Sequence, residues 1–145
     1  MGYHDFEKSK LISWLFVFFQ LLDVWLVTIL RILPEIMRGK VLICDRGPYD
    51  TLIDVMTDTK NKTLHTSAIG KAFVKFLPAS HRVLFIARAP ERIFASRPDV
   101  KIDRNFNLRY ELYGSCSKHF RWTVIDNNGT PEKTLGRLRE ELSLR

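Results

Sequence analysis

The sequence predicts an α/β domain: a parallel sheet of about three strands with helices on both faces, in three layers. Three observations predict it. Residues 40–45 (KVLICD), 82–87 (RVLFIA) and 122–126 (WTVID) are short apolar runs, and none alternates strictly between apolar and polar. Strands of that kind have both faces covered. Helical segments fall beside them, at about 64–77, 89–96, 103–119 and 131–143, and such alternation is the pattern of a parallel sheet.

The elements follow in chain order. Residues 11–33 (LISWLFVFFQLLDVWLVTILRIL) form the most apolar stretch. It is long enough to span a bilayer, which takes about 20 residues. Gln20, Asp23 and Arg31 argue against a span, since a carboxylate near the middle costs roughly 2.5–3.5 kcal/mol on insertion scales. Asp5 and Glu7 offset Lys8 and Lys10, and no small-residue cleavage site follows, so the stretch does not read as a signal peptide. The expectation is a buried helix, started by Ser9 or Ser13 and closed by Gly39 after a last turn PEIMRG. A membrane anchor is the alternative. The final helix begins with Thr130 as cap, Pro131 at the first position and Glu132 in the first turn. No internal repeat, low-complexity tract or linker divides residues 1–145, so one domain is expected.

Charge is uneven. Residues 1–72 carry 9 Lys/Arg and 8 Asp/Glu, whereas residues 73–145 carry 14 and 8. A basic half suits an anionic partner, although a merely soluble basic surface has the same composition. Cys44 and Cys116 form neither a zinc spacing nor a disulfide framework, which points to a reducing, cytoplasmic setting with Cys44 as a small buried residue. Asn61-Lys62-Thr63 and Asn128-Gly129-Thr130 match the glycosylation pattern, which arises easily by chance.

In open parallel sheets ligands bind beyond the carboxyl ends of the strands. The residues there are Asp45-Arg46, then Arg88 with Arg92 and Arg97, then Asp126-Asn127-Asn128-Gly129. Four arginines at one rim suit phosphate, whose oxygens match the planar guanidinium fork. Other readings stay open: Asp45-Arg46 as an ion pair at a strand end, the later arginines as solvated surface, and residues 127–129 as an ordinary turn. Phe106, Tyr110 and Tyr113 read as helix packing. His65, His81 and His119 have no ligand spacing and read as structural.

These residues resemble the thymidylate kinase-like proteins among the P-loop nucleotide and nucleoside kinases. GKVLICDRGPYDTLID resembles that family's Asp-Arg segment, RVLFIARAPERIFASRPDV its next strand and lid helix, and WTVIDNNGTPEKTLGRLREEL its last strand, adenine-side loop and terminal helix. The likeness covers residues 11–143. It implies transfer of the ATP γ-phosphate to a nucleoside monophosphate, with ATP and magnesium as cofactors. Asp45 would assist the acceptor or the magnesium shell, and Arg46 would bind acceptor phosphate. Arg92 or Arg97 would be the lid arginine. Arg88, Tyr49 and Asp50 would lie on the substrate side, and Asn127, Asn128 and Gly129 near the donor adenine. No direct metal ligand is expected.

The sequence also departs from the family. The phosphate loop G-x-x-x-x-G-K-[ST] is missing: Gly39-Lys40 is followed by Val41, and Gly70-Lys71 by Ala72. Gly47-Pro48 replaces an aromatic after Asp-Arg, and Ser96 stands where arginine is expected. The reading is a kinase domain incomplete at its N-terminus and inactive alone: a truncated gene, a degenerate paralogue or half of a split protein, with truncation favoured. The family's first strand would lie between the Asp-Arg strand and the next. Without it, a homo-oligomer or a partner strand is expected to cover the sheet centre, and the 11–33 helix loses part of its cover. The alternative is a non-catalytic basic module binding nucleotide or another phosphate-bearing molecule. Nucleic acid is disfavoured, since no helix-turn-helix, zinc or aromatic-sheet signature is present.

Overall fold

The computed structural model describes residues 10–143, which divide into two compact units, one ending at His81 and one beginning at Arg82. The expected cap Ser9 and the charges at Asp5, Glu7 and Lys8 lie outside the described residues.

The first unit is helical. Its opening helix α1 (Lys10–Val27) runs through a wide π turn (Thr28–Ile32) into α2 (Leu33–Met37). Ser13 lies inside α1 and does not cap it. Pro34 has no N–H, and its ring crowds the carbonyl four residues back, at Leu30. The wide turn sits where that conflict falls, with the Leu33 N–H donating to the Thr28 carbonyl, five residues back. The end is as the sequence predicts. Gly39 takes φ +79°, its N–H donates to Ile36 O at 2.8 Å, and Lys40 N–H donates to Glu35 O at 3.2 Å. That pair of bonds is the Schellman closure, which needs a left-handed residue at Gly39.

The expected burial of this helix is not found. Val17, Val24 and Thr28 are buried, whereas Leu11, Trp14, Phe19, Leu26 and Leu30 are exposed. Burial depends on partners, and α1 packs against α3 and α4 along one stripe. Trp25 fixes that contact. Its indole N–H donates to Ala72 O at 2.8 Å, and its ring meets Phe76 edge-on at 5.1 Å.

Two further expectations need correcting. Residues 40–45 are not a strand; Val41 and Ile43 are 92% and 91% exposed, and Cys44 is exposed rather than buried. A strand is held by its neighbour's ladder, and the sheet among the described residues holds two strands, neither of them this segment. Immediately afterwards comes a helix that the sequence reading missed, α3 (Pro48–Asp58). Pro48 opens it, and the Asp50 carboxylate accepts from Gly47 N–H at 2.9 Å. Leu52, Ile53, Val55, Met56 and Thr57 are at most 1% exposed, making α3 the centre of this unit.

The predicted 64–77 helix is shorter, a 3₁₀ turn Leu64–Thr66 followed by α4 (Ala68–Phe73). Ser67 caps α4, its hydroxyl accepting from Gly70 N–H at 3.1 Å. Gly70 lies so close to the preceding turn that a Cβ there would stand 2.2 Å from Leu64 O.

The second unit carries the sheet. Strand β1 (Leu84–Ala87) pairs in parallel with β2 (Thr123–Asp126), Leu84 opposite Thr123 and Ala87 opposite Asp126. Between them lie α5 (Pro90–Ser96), a 3₁₀ turn Pro98–Ile102 and α6 (Phe106–His119); α7 (Pro131–Ser143) follows β2. The sheet has two strands where the sequence predicts about three. Phe85 and Val124 share one face, Ile86 and Ile125 the other. On each face one residue is covered and its partner is half-exposed. Phe85 stacks on Tyr113 of α6 at 5.5 Å and Ile125 is buried, whereas Val124 and Ile86 reach solvent. The aromatic residues of α6 pack as predicted, with Phe106 4.7 Å from Phe94 and 6.1 Å from Tyr110. Thr130 caps α7, accepting from Lys133 N–H at 3.4 Å. The Glu132 carboxyl is held below its usual range by its own backbone N–H and then by the Thr130 hydroxyl.

Candidate functional site

The second unit gathers polar residues at the carboxyl ends of both strands. Parallel pairing in register makes β1 and β2 end side by side, so their following loops meet. Asn127 N–H extends the ladder to Ala87 O at 2.8 Å. Asn128 then ties the loops together. Its Oδ1 accepts from Ala89 N–H at 2.8 Å, its Nδ2 donates to Asp126 Oδ1 at 2.6 Å, and its carbonyl accepts from Arg92 Nη1. The Thr134 hydroxyl of α7 donates to Asn127 Oδ1 at 3.0 Å.

Two arginines stand over this junction. Arg88 follows β1, is partly buried, and donates from Nη1 to Ser96 Oγ at 3.1 Å; its Nε is buried with no hydrogen-bond partner. Arg92 is one turn into α5 and exposed. No carboxylate pairs with either among the described residues. A guanidinium has five donors, and each of these two spends one on the protein. The remaining Nη donors match a phosphate oxygen or carboxylate. Asp126, the acid at the rim, has one oxygen held by the Asn128 backbone N–H and side chain.

Ser96 and Asp126 orient the arginine and the asparagine that the sequence singles out. Neither was assigned a role on the sequence, although Ser96 stands where the resemblance expects arginine. Its hydroxyl also donates to Arg92 O and Ile93 O at the end of α5.

The other candidates lie elsewhere. Arg97 is exposed and donates to Asp99 Oδ2 at 2.8 Å. That hydrogen bond and charge raise the Arg97 guanidinium and lower the Asp99 carboxyl from their ordinary values. Of the two lid candidates, Arg92 meets the loop junction and Arg97 an ion pair. Asp45 and Arg46 occupy the exposed stretch before α3, Arg46 in the left-handed region at φ +69°, and no ion pair joins them. Asp50 caps α3. Tyr49 stacks on His81, its hydroxyl 3.0 Å from Nε2.

The resemblance implies ATP and magnesium, and neither glycine-lysine pair supplies the phosphate loop that would cradle a donor. Gly39 ends a helix and Gly70 lies inside α4 against Leu64 O, so neither belongs to a phosphate-cradling loop. Asn128 is held to the loop after β1 and Asn127 to Thr134 of α7, and Gly129 is exposed beside Lys133. No group of three or more His, Cys, Asp or Glu able to hold a metal occurs among the described residues. Comparison of the chain with protein-family models, with curated proteins and with solved structures finds no match.

Proposed function

We propose that this chain is a thymidylate kinase-like, P-loop-related α/β domain that binds phosphate-bearing ligands, nucleotides foremost, through Arg88 and Arg92, and that it does not transfer phosphate by itself. One observation carries the reading: two arginines without carboxylate partners stand where two parallel strands end, over loops locked by Asn128. The order of the three resembling segments adds to it. Catalysis of phosphoryl transfer is mostly positioning and charge stabilisation, and the loop that would position donor phosphates is absent from these 145 residues.

Isothermal titration calorimetry with thymidine monophosphate, ATP and inorganic phosphate tests the binding. A dissociation constant of about 10⁻⁴ M, worth roughly 5.5 kcal/mol, is expected for at least one nucleotide. Arg92→Ala loses charge-assisted hydrogen bonds of about 1.5–3 kcal/mol, a weakening of roughly 10- to 100-fold. Nucleotide binding that survives Arg88→Ala and Arg92→Ala with unchanged affinity excludes this rim. Turnover near 1 s⁻¹ in a coupled assay with nucleoside monophosphates, within the ordinary enzyme range, excludes the non-catalytic reading.

A further inference from the structure

The exposed side of α1 has a pattern that the arginine rim does not use. Ile12, Leu15, Phe19, Leu22, Leu26 and Ile29 follow one another at spacings of 3, 4, 3, 4 and 3 residues. That is the a/d spacing of a helix seated against another helix. Phe19 and Leu26 come two residues after the buried Val17 and Val24, about 200° around the helix. The stripe therefore points away from α3 and α4, and Leu15, Phe19, Leu26 and Ile29 on it are exposed. Leu11, Phe18 and Leu30 flank it, where a second helix also reaches.

We propose that this stripe is the interface between two copies of the chain, α1 of one packed on α1 of the other. The spacing selects a helix as the occupant, and a two-fold dimer needs one patch that complements itself. The area agrees. Eight large apolar side chains on the stripe and its flanks are between 41% and 71% exposed. At on the order of 100 Å² each, they offer about 800 Å² per copy, the share each partner supplies to a standard interface. Asp23 is exposed at the edge of the stripe, where a soluble dimer leaves it in water. The acids of α3, Asp50, Asp54 and Asp58, disfavour immersing this helix pair in lipid. This inference is independent of nucleotide binding.

Sedimentation equilibrium of the full chain tests it. The expected mass is twice the 17.0 kDa of one chain. Leu15→Glu with Leu26→Glu returns the mass to one copy with an unchanged far-ultraviolet circular dichroism spectrum, because both side chains point away from their own unit. Should that variant fail to fold, Leu15→Ala with Leu26→Ala raises the dissociation constant by about 100-fold. A single-copy mass at every soluble concentration overturns the proposal, as does a dimer of unchanged affinity in the folded variants. A monomer that floats with phosphatidylcholine–phosphatidylserine vesicles also overturns it, assigning the stripe to lipid.

Discussion

Replacing Asn128 with alanine removes the tie between the loops that follow β1 and β2. The side chain accepts one hydrogen bond, from Ala89 N–H at 2.8 Å, and donates another to Asp126 at 2.6 Å. The first is part-buried, so its loss strands a backbone donor at about 1–3 kcal/mol; the second is exposed and is worth about 0.5 kcal/mol. The variant is expected to lose about 2–3 kcal/mol, a large share of the 5–15 kcal/mol typical of a folded domain. Urea unfolding reads the total. Amide exchange reads the locus: Ala89 N–H is expected to exchange about 10- to 100-fold faster, at 1.4 kcal/mol per tenfold, with amides of α3 unchanged. Asn128→Asp is the control. It keeps the acceptor for Ala89 but sets a second carboxylate beside Asp126, raising the folded-state pKa of the pair. Its penalty is therefore present at pH 7 and relieved as both carboxylates protonate at acid pH. A stability change below about 0.5 kcal/mol in Asn128→Ala, with Ala89 exchange unaltered, refutes the claim that this residue holds the rim together.

Other expectations concern both units. Gly70→Ala drives a Cβ to 2.2 Å from Leu64 O and is expected to cost about 2–3 kcal/mol, read by thermal unfolding. Burial raises the Cys116 thiol from 9.0 to about 11, so in the native protein a thiol reagent at pH 8 modifies the exposed Cys44 and spares Cys116 until unfolding. The same shift gives a pH dependence of stability. Its contribution is complete below the ordinary thiol pKa and declines as pH climbs toward about 11, and Cys116→Ala removes that part of the decline in urea titrations. Arg97→Ala, which breaks a solvent-exposed pair with Asp99, is expected to leave nucleotide affinity and thermal midpoint unchanged, measured beside Arg92→Ala.

Much of the second unit was legible because its punctuation is local. Pro90 and Pro131 open α5 and α7, Thr130 caps the latter, and the apolar runs ending at Ala87 and Asp126 become the paired strands. The first unit was less legible because its outcome depends on neighbours. VLIC has the composition of a strand but no ladder to join, and the 11–33 helix has the composition of a core but one packed stripe. The missed α3 did leave a signal. Gly47-Pro48 and Asp50 are a helix start, and apolar positions 52, 53, 55 and 56 have helical spacing. At the rim, the arginines and asparagines were visible as residue types. The dependence of Arg88 on Ser96 and of Asn128 on Asp126 was not, because side-chain pairing follows from the backbone path.

The wide turn before Pro34 also meters direction. Spending one extra residue on a turn sets everything after it back by about 100° around the helix axis. Leu33, Ile36 and Gly39 therefore sit a quarter turn from where an unbroken helix would put them, and the chain leaves Gly39 toward Asp45 and Arg46 on the bearing so chosen. Deleting one residue from Thr28–Ile32 and closing the turn to a regular spiral would leave that exit on its present bearing, whereas closing the turn at full length would swing it by the same angle. The width of this turn acts as a dial, setting which way the Asp-Arg stretch points without altering any residue in it.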